Sequence, residues 1–240
     1  MPVIEQSSIR NRLLAALSAE DFGLLAPHLT RVDMQFRATL HNAGEPIAAV
    51  YFPEHGYASM LATLGDGEAA EVGMIGPEGI IGLPLLFGTD RSSVEAFVQS
   101  SGSASRLPAE IFQRAVEERP ALRALLLHYA MAFNMQVTMT AACNGRHRVE
   151  QRLARWLLMA SDRTEGDEFA MTHEFLSMML AVRRAGVTVA AGSLQKSGFI
   201  RYDQGRIRIT DRRGLEAAAC ECHAIVRREY ERLMGPMRPR

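Results

Sequence analysis

The chain has 240 residues, 27 Lys plus Arg against 27 Asp plus Glu, 48% hydrophobic residues and three cysteines. That length holds two domains, each able to bury its own core, and three thiols are too few for a disulfide framework. Met1 to Arg12 lacks an apolar run behind a basic start, so a cytoplasmic protein is expected rather than a secreted one.

The zero net charge hides a division along the chain. Residues 1–145 carry 9 basic against 15 acidic side chains, a balance of −6, whereas residues 146–240 carry 18 against 12, a balance of +6. Phosphate contacts supply most nonspecific affinity for DNA, so only the back of the chain is suited to a polyanion.

Residues 5–28 read as short amphipathic helices, with Ile9, Leu13, Leu14 and Leu17, then Phe22, Leu24 and Leu25. Ser18-Ala19-Glu20-Asp21 marks the break between them. From about 30 to 107, short apolar runs alternate with turn signals such as Gly44-Glu45-Pro46, Gly65-Asp66-Gly67-Glu68 and Gly76-Pro77-Glu78-Gly79. Regular turns between strand-like runs predict a sandwich or barrel. Its strands are expected at 49–52, 57–64, 69–75, 94–99 and 104–107, with breaks at 53–56 and 101–102.

A short helix is predicted from Pro108 to about Glu118, and a long one opens at Pro120, where a missing N–H costs little. Leu122, Leu125, Leu126, Tyr129, Phe133 and Met139 give the long helix more than one apolar stripe, so it buries two sides. One is suited to the barrel and the other to a second copy of the same helix. Arg123, His128, Asn134 and Gln136 interrupt it, so no membrane span is expected. Asn144-Gly145 marks its end. Residues 148–161 form a further amphipathic helix, followed by a polar link over 162–168.

Residues 172–209 carry the clearest signal. Phe175, Leu176, Met179 and Leu180 recur at helical spacing behind the N-cap Thr172. After a break at Ala181-Val182, a second helix places Val187, Ala190, Ala191 and Leu194 on one side and stops at Ser197-Gly198. Ile200 and Tyr202 then lead through Asp203-Gln204-Gly205-Arg206, a hairpin turn, into Ile207-Arg208-Ile209. Two helices, a tight break and a basic ribbon make a winged helix-turn-helix, which places a helix in a DNA major groove.

The order of these blocks resembles the Crp–Fnr family of bacterial transcription regulators over nearly the whole chain. The segments that carry the resemblance are IGPEGIIGLPLLFGTDRSSVEA at 75–96, VEQRLARWLL at 149–158, and the helix-turn-helix through GFIRYDQGRIRI. The resemblance implies an α+β chain. Its N-terminal cyclic-nucleotide-binding-like β-roll (a jelly roll with N-terminal helices) spans 1–118, its dimerisation helix 119–145 and its C-terminal winged helix-turn-helix domain 146–240. It implies a homodimer on a palindromic double-stranded DNA operator, with RNA polymerase as a further partner. The dimer contact is then expected on Leu122, Leu126, Tyr129, Phe133 and Gln136.

Cyclic-nucleotide members of that family hold the ribose with a glutamate after Gly82 and the phosphate with an arginine. Here Leu83 follows Gly82, while Arg91-Ser92-Ser93 remains at the far end. Arg91 is able to hold an anion by charge-assisted hydrogen bonds, or is an ordinary loop arginine. These five residues are the candidate effector pocket. An unidentified small effector is expected, with cyclic-nucleotide control as the alternative.

The family's base-reading helix carries an arginine, a glutamate beside it and a second arginine one turn later. Arg184 matches the first, and Ala185 and Val189 stand at the other two positions. Arg183, Thr188, Ser193 and Lys196 are candidate phosphate or base contacts, Thr172 and His173 lie near the backbone, and the wing adds Arg201, Arg206 and Arg208. An iron–sulfur cluster needs more thiolates than three cysteines supply. His41, His55 and His128 carry no mark of a haem ligand. Cys220-Glu221-Cys222-His223 is suggestive of metal or redox chemistry, but i and i+2 point to different helix faces, so packing is expected there and no metal. Only His41 and His55 fall in the strand region, too few for a metal-dependent barrel enzyme, and neither catalysis nor a cofactor is expected.

Overall fold

The computed structural model describes residues 4–164, 166 and 168–236. Within the polar link over 162–168, Glu165 and Asp167 lie outside the described residues. The chain divides into two compact units, one formed by Met1–Met60 with Met74–Ala132 and the other by Leu61–Gly73 with Phe133–Arg240. The long helix is therefore shared between them, and the tip of one hairpin belongs to the C-terminal unit. The reason for that grouping is local: Trp156 donates its indole N–H to Glu71 at 2.9 Å, and both groups are buried.

The first unit is built on an antiparallel sheet. Its strands are β1 (Thr30–Met34), β2 (Thr39–His41), β3 (Ala49–Thr63), β4 (Ala69–Ile75) and β5 (Val94–Pro108). They run in the order β1-β5-β3-β4, with β2 also paired to β5. β1 and β2 are additions to the strands expected from the sequence, and β3 and β5 each run unbroken for 15 residues. The expected breaks near Gly56 and Gly102 do not end them. Gly56 takes a positive φ of 74°, and a Cβ on Gly102 would collide with the His55 carbonyl. Two glycines facing each other let the strands bend and stay paired, where a turn signal alone suggests an end.

Short helices α1 (Arg12–Ala15) and α2 (Ala19–Leu25) precede the sheet. The Asn11 side chain caps α1 and donates to the carbonyls of Pro53 and Gly79 at 3.1 and 2.8 Å. Buried Glu54 accepts from the Arg10 and Asn11 amides and from the Ser105 hydroxyl. Every polar group in this anchor has a partner, which is the condition for burying it.

α3 (Ala109–Glu118) and α4 (Pro120–Arg146) follow β5. α4 starts at Pro120 as predicted but passes through Asn144-Gly145 to Arg146. The dimer face needs correction. Leu122, Leu126, Tyr129 and Gln136 are all buried within the chain, and Gln136 donates to the Tyr230 hydroxyl at 3.1 Å. Phe133 is half-buried, its ring standing where a Cβ on Gly73 would go. A side chain enclosed by its own fold has no area left for a partner. The outward stripe of α4 carries Leu127 and Met131, 41% and 51% exposed. With two apolar stripes on one helix, periodicity does not say which faces inward.

The C-terminal unit centres on α5 (Val149–Ser161), buried without interruption from Arg152 to Ser161. Around it lie β6 (Glu168–Ala170), α6 (His173–Met179), α7 (Arg184–Lys196), β7 (Ile200–Asp203), β8 (Arg206–Ile209), α8 (Arg212–Ala218) and α9 (Cys222–Met234). The strands form a sheet in the order β6-β8-β7, and β6 is a strand the sequence did not signal. Gln204 and Gly205 both take positive φ, 46° and 77°, giving the two-residue hairpin the Asp203–Arg206 signal implied. Among the described residues no single helix is long and apolar enough to cross a membrane.

Candidate nucleic-acid interface

α6 and α7 meet at 106° across the break at 180–183, within the range for a helix-turn-helix. Thr172 caps α6, its hydroxyl accepting from the Phe175 amide at 3.2 Å. Ala181 turns the chain with φ of 48°, a conformation a non-glycine residue adopts only when its surroundings hold it. Leu176, Met179 and Leu180 are buried, as are Val187, Ala190, Ala191 and Leu194 on the inner side of α7. Arg152 was not anticipated. From its buried place on α5 its guanidinium donates to the Leu180 carbonyl, satisfying an acceptor that the end of α6 leaves open.

With one side of α7 buried, the opposite side is free. Arg183, Arg184, Ala185, Thr188, Val189 and Lys196 are exposed, Val189 at 74%. Among the described residues Arg183, Lys196 and Arg201 have no ion-pair partner, and Arg184 makes only a loose approach to Glu174 at 3.9 Å, both side chains being open to water. Beside this row an open groove of about 420 Å³ is lined by Val149, Glu150, Ala185, Gly186, Val189 and Ala190. Small side chains there leave the helix backbone approachable.

Not every predicted contact is free. Ser193 donates to Glu150 at 3.0 Å, so its hydroxyl serves the packing of α7 on α5. Thr188 sits 3.0 Å from His173 Nδ1 and also donates to the Arg184 carbonyl. His173 stacks on Tyr202 with centroids 4.3 Å apart, tying the start of α6 to the wing. Burial, and then the nearby Arg184 charge, lowers the His173 pKa and so favours the neutral ring. In the wing, Arg206 and Arg208 both pair with Glu168, at 3.0 and 2.9 Å. The bond from Arg208, then that from Arg206, holds the Glu168 carboxyl below the usual range. Glu168 is a residue sequence reading passed over, because it lies 38 and 40 positions from its partners.

The candidate effector residues are arranged around a one-turn helix at 83–87, entered at Gly82 with φ of 103°. Leu83 is its first residue. Arg91 donates to the Gly44 carbonyl at 2.6 Å and lies 3.9 Å from Asp90, with its side chain 59% exposed. The Ser92 hydroxyl accepts from the Val94 amide, and the Ser92 carbonyl accepts from the Gly44 amide at 2.6 Å. Ser93 follows in the same loop and is exposed.

The helix-face argument behind the expectation of packing and no metal meets a different geometry in the C-terminal unit. Cys143, His147, Cys220 and Cys222 bring one ligand atom each into a common cluster. Cys220 lies in the bend before α9 and Cys222 is the first residue of that helix, so the two are not i and i+2 of one helix. The helix-face reason for separating them does not apply.

Residues 34–119 match the cyclic nucleotide-binding domain, and residues 151–218 match the Crp-like helix-turn-helix domain. No curated protein matches the chain. Among solved structures, a Crp/Fnr-family transcriptional regulator from Eubacterium rectale superposes with a TM-score of 0.67 at 18% identity, covering 86% of this chain and 96% of that one. FixK2 from Bradyrhizobium japonicum gives 0.68 at 17% identity, with 80% and 98% covered. The c-di-GMP responsive regulator CLP of Xanthomonas campestris gives 0.65 at 17% identity, with 80% and 99% covered. At these identities the likeness is one of fold.

Proposed function

Because the chain belongs to the Crp/Fnr family of transcription regulators, we propose that it binds a two-fold-related DNA site as a homodimer, reading sequence through the exposed side of α7. The observation that carries this reading is the exposed row of Arg183, Arg184, Ala185, Thr188 and Val189, flanked by Lys196 and Arg201, which have no ion-pair partner among the described residues. Arg184 is assigned to a guanine, whose O6 and N7 accept a bidentate guanidinium. Val189 and Ala185 offer only apolar contact, suited to a thymine methyl. Lys196 and Arg201 are assigned to phosphates. Self-association is assigned to the outward stripe of α4 at Leu127 and Met131.

The chain then works by binding rather than catalysis, in the cytoplasm, with RNA polymerase as its further partner. A selection from random duplex DNA tests the core of the reading. Enrichment of an inverted repeat is expected, and recovery of sequences without common half-sites would overturn it.

The effector is assigned to a class other than cyclic nucleotides. Leu83 offers nothing to a ribose hydroxyl, and Arg91 is engaged by the Gly44 carbonyl and Asp90. The match of residues 34–119 to the cyclic nucleotide-binding domain favours the second reading, a modified nucleotide site. Calorimetry with cyclic AMP and cyclic GMP separates them, since heat at millimolar ligand or below would establish the second.

A further inference from the structure

Three cysteines and a histidine meet in the C-terminal unit, and none of them is among the residues assigned to DNA. Cys143 stands on the last turn of α4 and His147 follows at i+4, which puts both on one side. Cys220 comes from the bend between α8 and α9, and Cys222 opens α9. All four ligand atoms lie within 4.8 Å of one another. The Cys143 and Cys220 sulfurs are 3.4 Å apart, and Cys222 Sγ is 3.7 Å from His147 Nδ1. With bonds of about 2.3 Å to sulfur and about 2.0 Å to nitrogen, a tetrahedral zinc ion spaces its ligands about 3.8 Å (S to S) and about 3.5 Å (S to N). We propose that Cys143, His147, Cys220 and Cys222 form a structural zinc site of the Cys3His type.

Two features outside the four ligands support it. His147 turns its other nitrogen to Glu221, with Nε2 3.3 Å from Oε2, the arrangement that orients a metal-bound imidazole. Arg155 is 4% exposed and, among the described residues, finds only the Thr140 hydroxyl and the Met159 sulfur, at 3.3 to 3.4 Å. It has no carboxylate among the described residues, yet it lies close enough to interact electrostatically with all three thiols. A buried cation without an anion is strongly unfavourable. Zinc with three thiolates and a neutral imidazole carries a net charge of −1, which supplies that anion; each thiol loses its proton on binding. A Cys143–Cys220 disulfide would neutralise nothing and leave Cys222 and His147 idle. The single-ion spacing also leaves no room for the bridging sulfides of an iron–sulfur cluster. The site would clamp the end of α4 to the junction of α8 and α9.

The test uses the full chain with a removable tag, purified without chelator. Mass spectrometry of the metal content is expected to give about one zinc per chain. The metal-stripped, reduced protein titrated with cobalt(II) alone should develop the visible bands of a tetrahedral ion and a thiolate charge-transfer band, saturating at about one equivalent. Cys143→Ser should abolish the charge-transfer pattern or shift it to one with fewer sulfurs. Glu221→Gln, which removes no ligand, should weaken zinc binding about 10- to 100-fold. Reduced wild-type protein that isolates without zinc and takes up no cobalt overturns the proposal, as do cobalt bands unchanged in Cys143→Ser. The wild-type titration stands whether or not a variant folds.

Discussion

The buried Arg152 guanidinium donates to the carbonyl of Leu180, so the central helix of the C-terminal unit holds the turn between α6 and α7. Arg152→Met keeps apolar bulk but leaves that carbonyl without its charged donor. A hydrogen bond to a charged group contributes about 1.5–3 kcal/mol, and a loss of that size is expected in urea unfolding. Affinity should fall evenly across DNA sequences, because the turn moves the whole of α7. A variant as stable as the parent would mean that the contact does not anchor the turn.

Arg184→Ala and Lys196→Ala should differ in kind. Losing a bidentate guanine contact costs about 1–3 kcal/mol at one base position and relaxes preference there. Losing a phosphate contact weakens all sequences alike and reduces the slope of log K against log salt by about one. Binding isotherms on the selected site and its single-base variants, at several salt concentrations, distinguish them. If Arg184→Ala weakens every sequence equally, its assignment to a base is wrong.

Gly186→Ala should separate stability from binding. A Cβ there meets nothing within 4 Å, and alanine in a helix interior is favoured over glycine by roughly 0.5–1 kcal/mol. The variant is expected to melt later. Gly186 lines the groove beside Ala185 and Val189, so the added methyl should also weaken DNA binding. Tighter binding together with higher stability would show that DNA does not approach this groove.

Acid should expose the role of Asp162. Burial raises its pKa, but the His223 hydrogen bond and the Arg212 charge outweigh it and hold the carboxyl at about 2. A depressed carboxylate stabilises the fold above the unfolded value near 3.8, and that contribution disappears as pH falls toward about 2. The shift corresponds to about 2 kcal/mol. Asp162→Asn should therefore be less stable than the parent by about that amount at pH 7, with the gap closing between pH 4 and 2. A gap that does not change with pH would remove Asp162 as the titrating group.

The helix-turn-helix was legible almost to the residue because its signals are local: a cap at Thr172, a break at Ala181 and a hairpin at Gln204-Gly205. What was not legible depends on partners distant in sequence. Ser193 reads as a free hydroxyl until Glu150, 43 residues away, is placed beside it. The long strands look like pairs of short ones in the sequence because Gly56 signals a turn unless Gly102 is known to face it. The inward face of α4 was ambiguous, since apolar side chains lie on more than one side of that helix. Cys143 and Cys220, 77 positions apart, carry no mutual sequence signal, and the C-x-C spacing reads as continuous helix although Cys220 lies before α9.

Glu168 gives the wing a surrogate phosphate. Its carboxylate already occupies Arg206 and Arg208, so on the proposed reading these arginines would meet a duplex while partly neutralised. If DNA keeps that arrangement, the wing displaces fewer condensed cations than its arginines would suggest, and nonspecific retention is correspondingly milder. If DNA instead evicts the carboxylate, the two guanidinium groups exchange one anion for another. The gain then rests on the difference between the two partners rather than on the full attraction of either.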